Sequence, residues 1–377
     1  MRSFPASQSR DATASLVCPV CDATDQDPIV VPHPLYRHLD FREIHPGPGI
    51  LGRCQRCQLV WRDPRTVTLA VGDAVCRSDA YAQHQESHTV VVDGFDGPVT
   101  RTHLQARLVA PLLPRTGGAV LDIGCFDGQL LRELGGCCTA DLHGYDVCEP
   151  SDFPKGNRFR FVRGRLSDVD GAFDVIVMSH AMQYVRDVRG LFDQIGRLLK
   201  PGGALFVQAP NFSVKPCTLL LGDQHYHYTP HILANLIRSM GFDYTCLSNA
   251  WFPREIVATA ISAPDVRTVT FEPDRDLFTC LDQVTTTADR LMALEERSVG
   301  VLGTTIEAAF ADSVLGARVA YFVDENPGKV GTTFHEKPVV HPRFVGTRDH
   351  IVIAMGTSGA AISRRLTALY PGTFISV

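Results

Sequence analysis

The sequence predicts an α/β protein of three units: a small N-terminal ribbon, a central α/β domain on a parallel sheet, and a second, smaller α/β unit. Three observations carry this. Two C-x-x-C pairs fall within the first sixty residues, strand and helix patterns alternate from about Arg101 onward, and the alternation resumes after the helical stretch DLFTCLDQVTTTADRLMALEE. The expected boundaries are 1–78 for a polar leader and ribbon, 79–262 for the central domain and 263–377 for the last unit.

In the ribbon, Cys18 and Cys21 form CPVC, and Cys54 and Cys57 form CQRC. Two such knuckles let four thiolates converge tetrahedrally on Zn²⁺. Ordinary buried cysteines, or one redox C-x-x-C, are the alternative. Four cysteine ligands leave no open coordination position, so the metal would hold the fold rather than do chemistry. His33, His38 and His45 lie between the pairs and are expected at the surface or in a substrate cleft.

Composition excludes some functions. Of 377 residues, 45% are apolar and 20% charged, which suits folded domains with sizeable cores. The net charge of −5 offers no broad positive field to a nucleic acid, so none is expected as a partner. No run of eighteen apolar residues predicts a membrane helix. The polar start MRSFPASQSRDATAS lacks an apolar signal core, and twelve cysteines without one suggest a reducing compartment, the cytoplasm.

In the central unit, THLQARLVAPLL reads as a helix and AVLDI as a buried strand. Gly124 opens a turn in which the backbone can approach a ligand, and the next helix starts there with its amides facing the same crevice. Such a turn alone also fits a nicotinamide-binding fold. LHGYDV then ends a second strand at Asp146, placed to accept hydrogen bonds from both ribose hydroxyls of an adenosine. FRFVRGRLSDV supplies a third strand, and GAFDVIVMSHAMQYV a fourth that enters a helix. GRLLKPGGALFVQAPN gives a helix, a Pro-Gly-Gly turn and a fifth strand, and LANLIRSMGF a further helix.

VLDIGCFDG, FDVIVMSHAMQYV and LLKPGGALFVQAPN resemble, in order and spacing, the motifs of class I S-adenosylmethionine (SAM) dependent methyltransferases. The resemblance implies that Asp122, Gly124 and Gly128, with Cys125 and Phe126 in the same turn, line the methionine end of SAM. It implies Asp146 on the ribose beside Val147, Leu166 and its neighbours along the adenine, and Ser179 completing the cofactor set. Phe126 stands where glycine or asparagine is common, and Gln183-Tyr184 replaces a frequent Glu-His pair.

The last unit repeats the pattern of a crevice. Gly303-Thr304-Thr305 opens a turn and Asp324 ends the following strand, which fits either a nucleotide site or a vestigial Rossmann unit without a ligand. A four-cysteine ribbon, a SAM domain and a C-terminal Rossmann-like domain together resemble the C-methyltransferases of nucleotide-linked 4-keto-deoxysugars, and FVDENPGKVG is similar to their C-terminal segment. Their His-Glu-His stretch reads His225-Tyr226-His227 here.

That resemblance implies a small-molecule substrate, a nucleotide-linked sugar methylated on carbon in natural-product biosynthesis. A base would take the α-proton and a donor would stabilise the enolate. His225 is the first choice of base, since imidazole titrates near neutral pH, with His227 as electrostatic partner. Tyr81 in DAYAQHQES matches a substrate-facing tyrosine of the family. Each has a plain packing alternative. O- or N-methylation of another metabolite, RNA methylation, and a non-catalytic assembly role are the competing readings.

Overall fold

The computed structural model describes residues 17–24, 26–37, 41, 44–45, 49–63, 89–90, 99–148, 152–247, 250–263 and 276–377. Tyr81, His38 and the polar leader lie outside the described residues.

The central unit is a seven-stranded sheet: β1 (Ala119–Ile123), β2 (Asp141–Asp146), β3 (Phe159–Arg163), β4 (Phe173–Ser179), β5 (Leu199–Pro210), β6 (Phe242–Cys246) and β7 (Glu255–Ser262). Their order across the sheet is β3-β2-β1-β4-β5-β7-β6. The first five are parallel; β7 alone runs opposite to them, paired antiparallel with both β5 and β6, so β6 shares their direction. β1 and β4 are buried apolar runs, as parallel strands covered on both faces require. The Lys-Pro-Gly-Gly segment is not a free turn. It bulges from β5, whose pairing with β4 jumps from Phe173↔Leu199 to Val175↔Ala204.

Around this sheet lie α1 (Arg101–Val109), α2 (Gln129–Cys137), α3 (Val188–Leu198) and α4 (Pro230–Ser239). Their starts are written locally. Thr100, Asp187 and Thr229 each cap a helix by accepting from the amide three residues on, and Pro230 follows its cap where a missing N–H costs nothing. α3 buries Val188, Leu191, Phe192, Ile195 and Leu198, a 3.6-residue stripe against the sheet. The expected continuous run from β4 into a helix is a short 3-10 turn, Met182–Tyr184, before α3.

The N-terminal strands Gln26–Val31, Gly49–Cys54 and Val60–Arg62 form an antiparallel sheet. Its fourth strand is Tyr226–His227 from the central unit, paired through Tyr226↔Trp61 and His227↔Val60. The ribbon is thus hydrogen-bonded to the loop region after β5.

α5 (Asp276–Met292) leads into the last unit, a six-stranded sheet of β8 (Val299–Leu302), β9 (Val319–Val323), β10 (Thr333–Phe334), β11 (Lys337–Val340), β12 (His350–Ile353) and β13 (Thr373–Ser376), with α6 (Ile306–Leu315) and α7 (Gly359–Leu369). The order is β10-β11-β9-β8-β12-β13. α5 belongs to both cores: Leu277, Cys280 and Val284 pack with the central unit, Leu291 with the last one. The ribbon touches the last unit as well, through Tyr36 Oη and Ser313 Oγ at 2.6 Å and the His33 ring edge-on to Phe310.

Candidate active site

Parallel strands reverse their direction of progression between β1 and β4, and in such sheets the crevice outside the carboxyl ends at that point is the usual ligand site. Gly124 sits there with φ of 78°, in the left-handed region. A Cβ on it would lie 2.6 Å from the Ala181 Cβ, so the turn after β1 and the turn after β4 approach as closely as only glycine permits. Gly128, at φ of 73°, precedes α2. Phe126 also has a positive φ, 51°, which strains a residue carrying a Cβ.

Asp146 explains how that strain is held. Its carboxylate accepts from the Phe126 amide at 2.9 Å and from the Cys148 amide at 3.0 Å, tying the end of β2 to the glycine turn. Gly124 and Cys125 amides donate to the Tyr145 carbonyl in the same tie. Burial raises the Asp146 carboxyl above its ordinary range. The next residue, Val147, is 46% exposed, an apolar surface open beside the acid, and Leu166 is partly buried on the 3-10 turn after β3. Cys125 is buried and has its thiol pushed up chiefly by burial.

Asp122 is different. It lies within β1, is 3% exposed, and its carboxylate has no hydrogen-bond partner among the described residues. Burial first, then the neighbouring Asp146 and Asp127, push it up to about 7. A buried carboxyl in that state fits a site that receives a cation.

The expected catalytic histidines stand apart from one another. The His225 amide donates to the Gln183 carbonyl at 2.7 Å, placing it against the turn after β4, and its ring Nε2 accepts from Arg186 Nε at 3.3 Å. Burial, then Arg186 and Arg62, push its imidazole down to about 4. His227 is 2% exposed, within the ribbon sheet, its Nε2 3.3 Å from the buried Arg62 guanidinium. It backs the cleft wall rather than lining it.

Around the expected Ser179 the structure gathers residues that sequence patterns did not single out: Gln105, Gln208, His180, Glu255 and Arg101. Ser179 and Gln208 are register partners at the ends of β4 and β5. Gln105 Nε2 donates to Ser179 Oγ at 2.7 Å and to Gln208 Oε1 at 2.8 Å, and the Gln208 amide donates to Glu255 Oε2. The same oxygen meets His180 Nε2 at 3.0 Å and Arg101 Nη2. Burial works against ionisation of Glu255, yet His180 and Arg101 hold its carboxyl well below the usual range. The one signal that could have found His180 is its place directly after the fourth strand.

At the N-terminal end, the Sγ atoms of Cys18, Cys21, Cys54 and Cys57 all lie within 4.8 Å of one another. The Val20 and Cys57 amides point at Cys18 Sγ (3.5 Å) and Cys54 Sγ (3.2 Å), the knuckle arrangement that favours thiolate over thiol. The donor set fits a tetrahedral cation such as Zn²⁺.

Residues 100–247 match the family described as methyltransferase domain. The ubiquinone biosynthesis O-methyltransferase of Xanthomonas oryzae pv. oryzae (strain PXO99A) is 29% identical over 134 residues, 31% of this chain and 54% of the relative. That of Xylella fastidiosa (strain 9a5c) is 30% identical over 117 residues, 27% of this chain and 46% of the relative. The chain spans about half the length of these curated relatives. A solved S-adenosylmethionine dependent methyltransferase from Mesorhizobium loti aligns over 41% of this chain and 95% of its own at 21% identity and a TM-score of 0.33. The crevice bordered by Gly124, Asp122 and Asp146 lies within the matched residues 100–247. No helix among the described residues is long and apolar enough to cross a membrane.

Proposed function

We propose that the protein is a SAM-dependent methyltransferase acting on a small molecule, in its finer form a C-methyltransferase of a nucleotide-linked keto-deoxysugar. The observation that carries the SAM reading is Asp122, a buried carboxyl without a protein partner beside the glycine turn and the tied Asp146. Asp122 would receive the methionine ammonium, the turn at Gly124, Cys125, Phe126 and Gly128 would pass the methionine chain, and Asp146 would take the ribose, with Val147 and Leu166 along the adenine and Ser179 at the crevice floor. SAM supplies an electrophilic methyl on a sulfonium. The protein's part is to orient the acceptor in line with it, exclude water and receive the acceptor's proton.

The domain organisation supports the sugar reading: a four-thiolate ribbon holding zinc structurally, the SAM unit, and a Rossmann-like last unit. The reading divides the last two units at 262/263, with α5 as a helix shared between their cores. On this reading His225 and Tyr81 serve the acceptor, a small molecule rather than a nucleic acid, and the protein works in the cytoplasm. A second reading, methylation on oxygen, is favoured by the similarity to O-methyltransferases over the catalytic domain.

One experiment separates these. With SAH (the demethylated product of SAM) bound, nucleotide-linked 4-keto-deoxysugars are incubated in D₂O and the α-proton is followed by NMR. Exchange in the unaltered protein is the expected result; its loss in a His225→Ala variant would give the proton to His225 rather than to another residue of the crevice. Absence of exchange in the unaltered protein, together with methylation of a hydroxyl acceptor, overturns the carbon reading and keeps the methyltransferase.

A further inference from the structure

We propose that His180, held by Glu255 and Arg101, is the group that takes the acceptor's proton during methyl transfer. The inference rests on the SAM reading above.

Its place in the fold is the first warrant. His180 follows β4 at the point where strand order reverses, and its neighbour Ala181 is the residue packed on Gly124. The side chain is thus one residue from the turn that would carry the methionine end. Its backbone is the second. His180 has φ of 53°, a left-handed conformation that strains a residue with a Cβ and persists where surroundings enforce it. The enforcement is visible: the His180 amide donates to the Gln208 carbonyl at 2.8 Å, and ring Nε2 faces the Glu255 carboxylate, which also accepts from Arg101.

The third warrant is which atom remains available. His180 Nε2 faces Glu255 and Arg101, while Nδ1 has no protein partner among the described residues. Donation of Nε2–H to Glu255 leaves the Nδ1 lone pair bare, the base-and-orienter arrangement in which a carboxylate fixes a tautomer. The ring is 26% exposed while Glu255 behind it is 14% exposed, so the base is at the surface and its holder is not. Among the described residues, Arg101 from α1 and Lys215 from the segment after β5 oppose its protonation, and Glu255 from β7 favours it. Burial and Arg101 prevail and keep the imidazole neutral, which leaves the lone pair free at neutral pH.

The step balances. The acceptor's X–H proton passes to Nδ1, the X electron pair forms the bond to the methyl carbon, and the S–CH₃ pair stays on sulfur. Glu255 stabilises the imidazolium until solvent takes the proton.

The test uses full-length protein labelled with ¹³C-histidine and two probes, SAM and SAH, which differ by the methyl group and one positive charge. His180 is assigned by the resonance missing in His180→Asn and, should that variant not fold, by the resonance that moves in Glu255→Gln. A sulfonium near the ring should lower its proton affinity about tenfold relative to SAH, a midpoint about one pH unit lower, with a smaller change at His225. Equal midpoints for His180 with both ligands bound would overturn the proposal. If neither ligand binds by calorimetry, it is the SAM reading that has failed.

Discussion

The central and C-terminal sheets present the same local pattern and use it differently. Each places a glycine turn after its first strand and an acidic residue at the end of its second, Gly124 with Asp146 and Gly303 with Asp324, and each reverses strand order beside that first strand. In the central crevice Asp146 ties down backbone amides, and Asp122 is buried with no hydrogen-bond partner among the described residues. In the C-terminal one, Asp324 accepts from Thr304 Oγ1 at 3.0 Å and the Asn326 amide at 2.9 Å. The buried acid, Glu307 at the start of α6, is already answered there. Arg254 from the central unit lies 2.5 Å away, Lys215 3.7 Å, and Thr305 Oγ1 donates to it at 2.6 Å. One crevice keeps an unanswered charge; the other closes on the protein's own cations and joins two units. A glycine turn and an acidic strand end therefore specify a crevice, and the remaining charge balance specifies whether a ligand is needed.

The widest break in that contrast would come from depriving the four-cysteine ribbon of the zinc proposed for it. Apparent binding free energies of structural zinc in small fingers are about 10–16 kcal/mol, so Cys54→Ser or a strong chelator should unfold the ribbon. Hydrogen exchange should then rise at Tyr226–His227, which pairs with Val60–Trp61, and far less at β8 and β12. Elemental analysis finding no zinc in the purified protein would remove the premise.

Next in size is Glu307→Gln. Losing a buried carboxylate that holds two cations should lower stability by roughly 2–4 kcal/mol, less than a fully buried pair because Arg254 and Lys215 can rehydrate. Burial opposes ionisation of Glu307, but Lys215 and Arg254 hold its pKa at about 2, below its ordinary 4.5. Its contribution is therefore present above pH ~4.5 and lost as pH falls toward about 2. Denaturant midpoints against pH should show that loss only in the unaltered protein, while SAH affinity is unchanged. A matching loss of SAH affinity would mean the two crevices are coupled.

A smaller effect separates the paired acids. Asp146→Ala should weaken SAH by roughly 1–3 kcal/mol, the cost of leaving buried hydroxyls unpaired, whereas Asp324→Ala should leave it alone. Calorimetry that finds the two variants alike would erase the distinction.

The smallest is a pH dependence. Asp122 has its pKa raised from 3.8 to about 7, so the unfolded chain releases that proton first and the unliganded fold loses stability as pH rises between about 4 and 7. An ammonium bound there needs the ionised form. SAH affinity should fall as pH drops below about 7, by up to ~tenfold per unit, with about one proton released on binding. Asp122→Asn should abolish both trends, and calorimetry in buffers of different ionisation enthalpy reads them.

The glycine-turn crevice of the central sheet was legible because its signals are local. A buried apolar strand, a turn that only glycine tolerates and a strand-end acid about twenty residues later are adjacent in sequence, and each is set by backbone geometry. The cysteine knuckles are local in the same sense, two short turns whose sulfurs need only meet. His225 and His227 show where locality ends: two residues apart, one lies against the turn after β4 and the other disappears into the ribbon sheet, because a strand pairing with Val60–Trp61 decides their faces.

The sequence by itself determined the parallel sheet, the glycine turn, the ribbon and the repeated pattern in the last unit, all of which follow from hydrophobic period and short-range sterics. Only the tertiary structure decided which acids are answered. Arg101, His180 and Glu255 are separated by 79 and 75 residues, Arg254 and Glu307 by 53, and no local rule connects them. Charges pair through space, where burial removes water and leaves each group dependent on whichever partner the fold delivers.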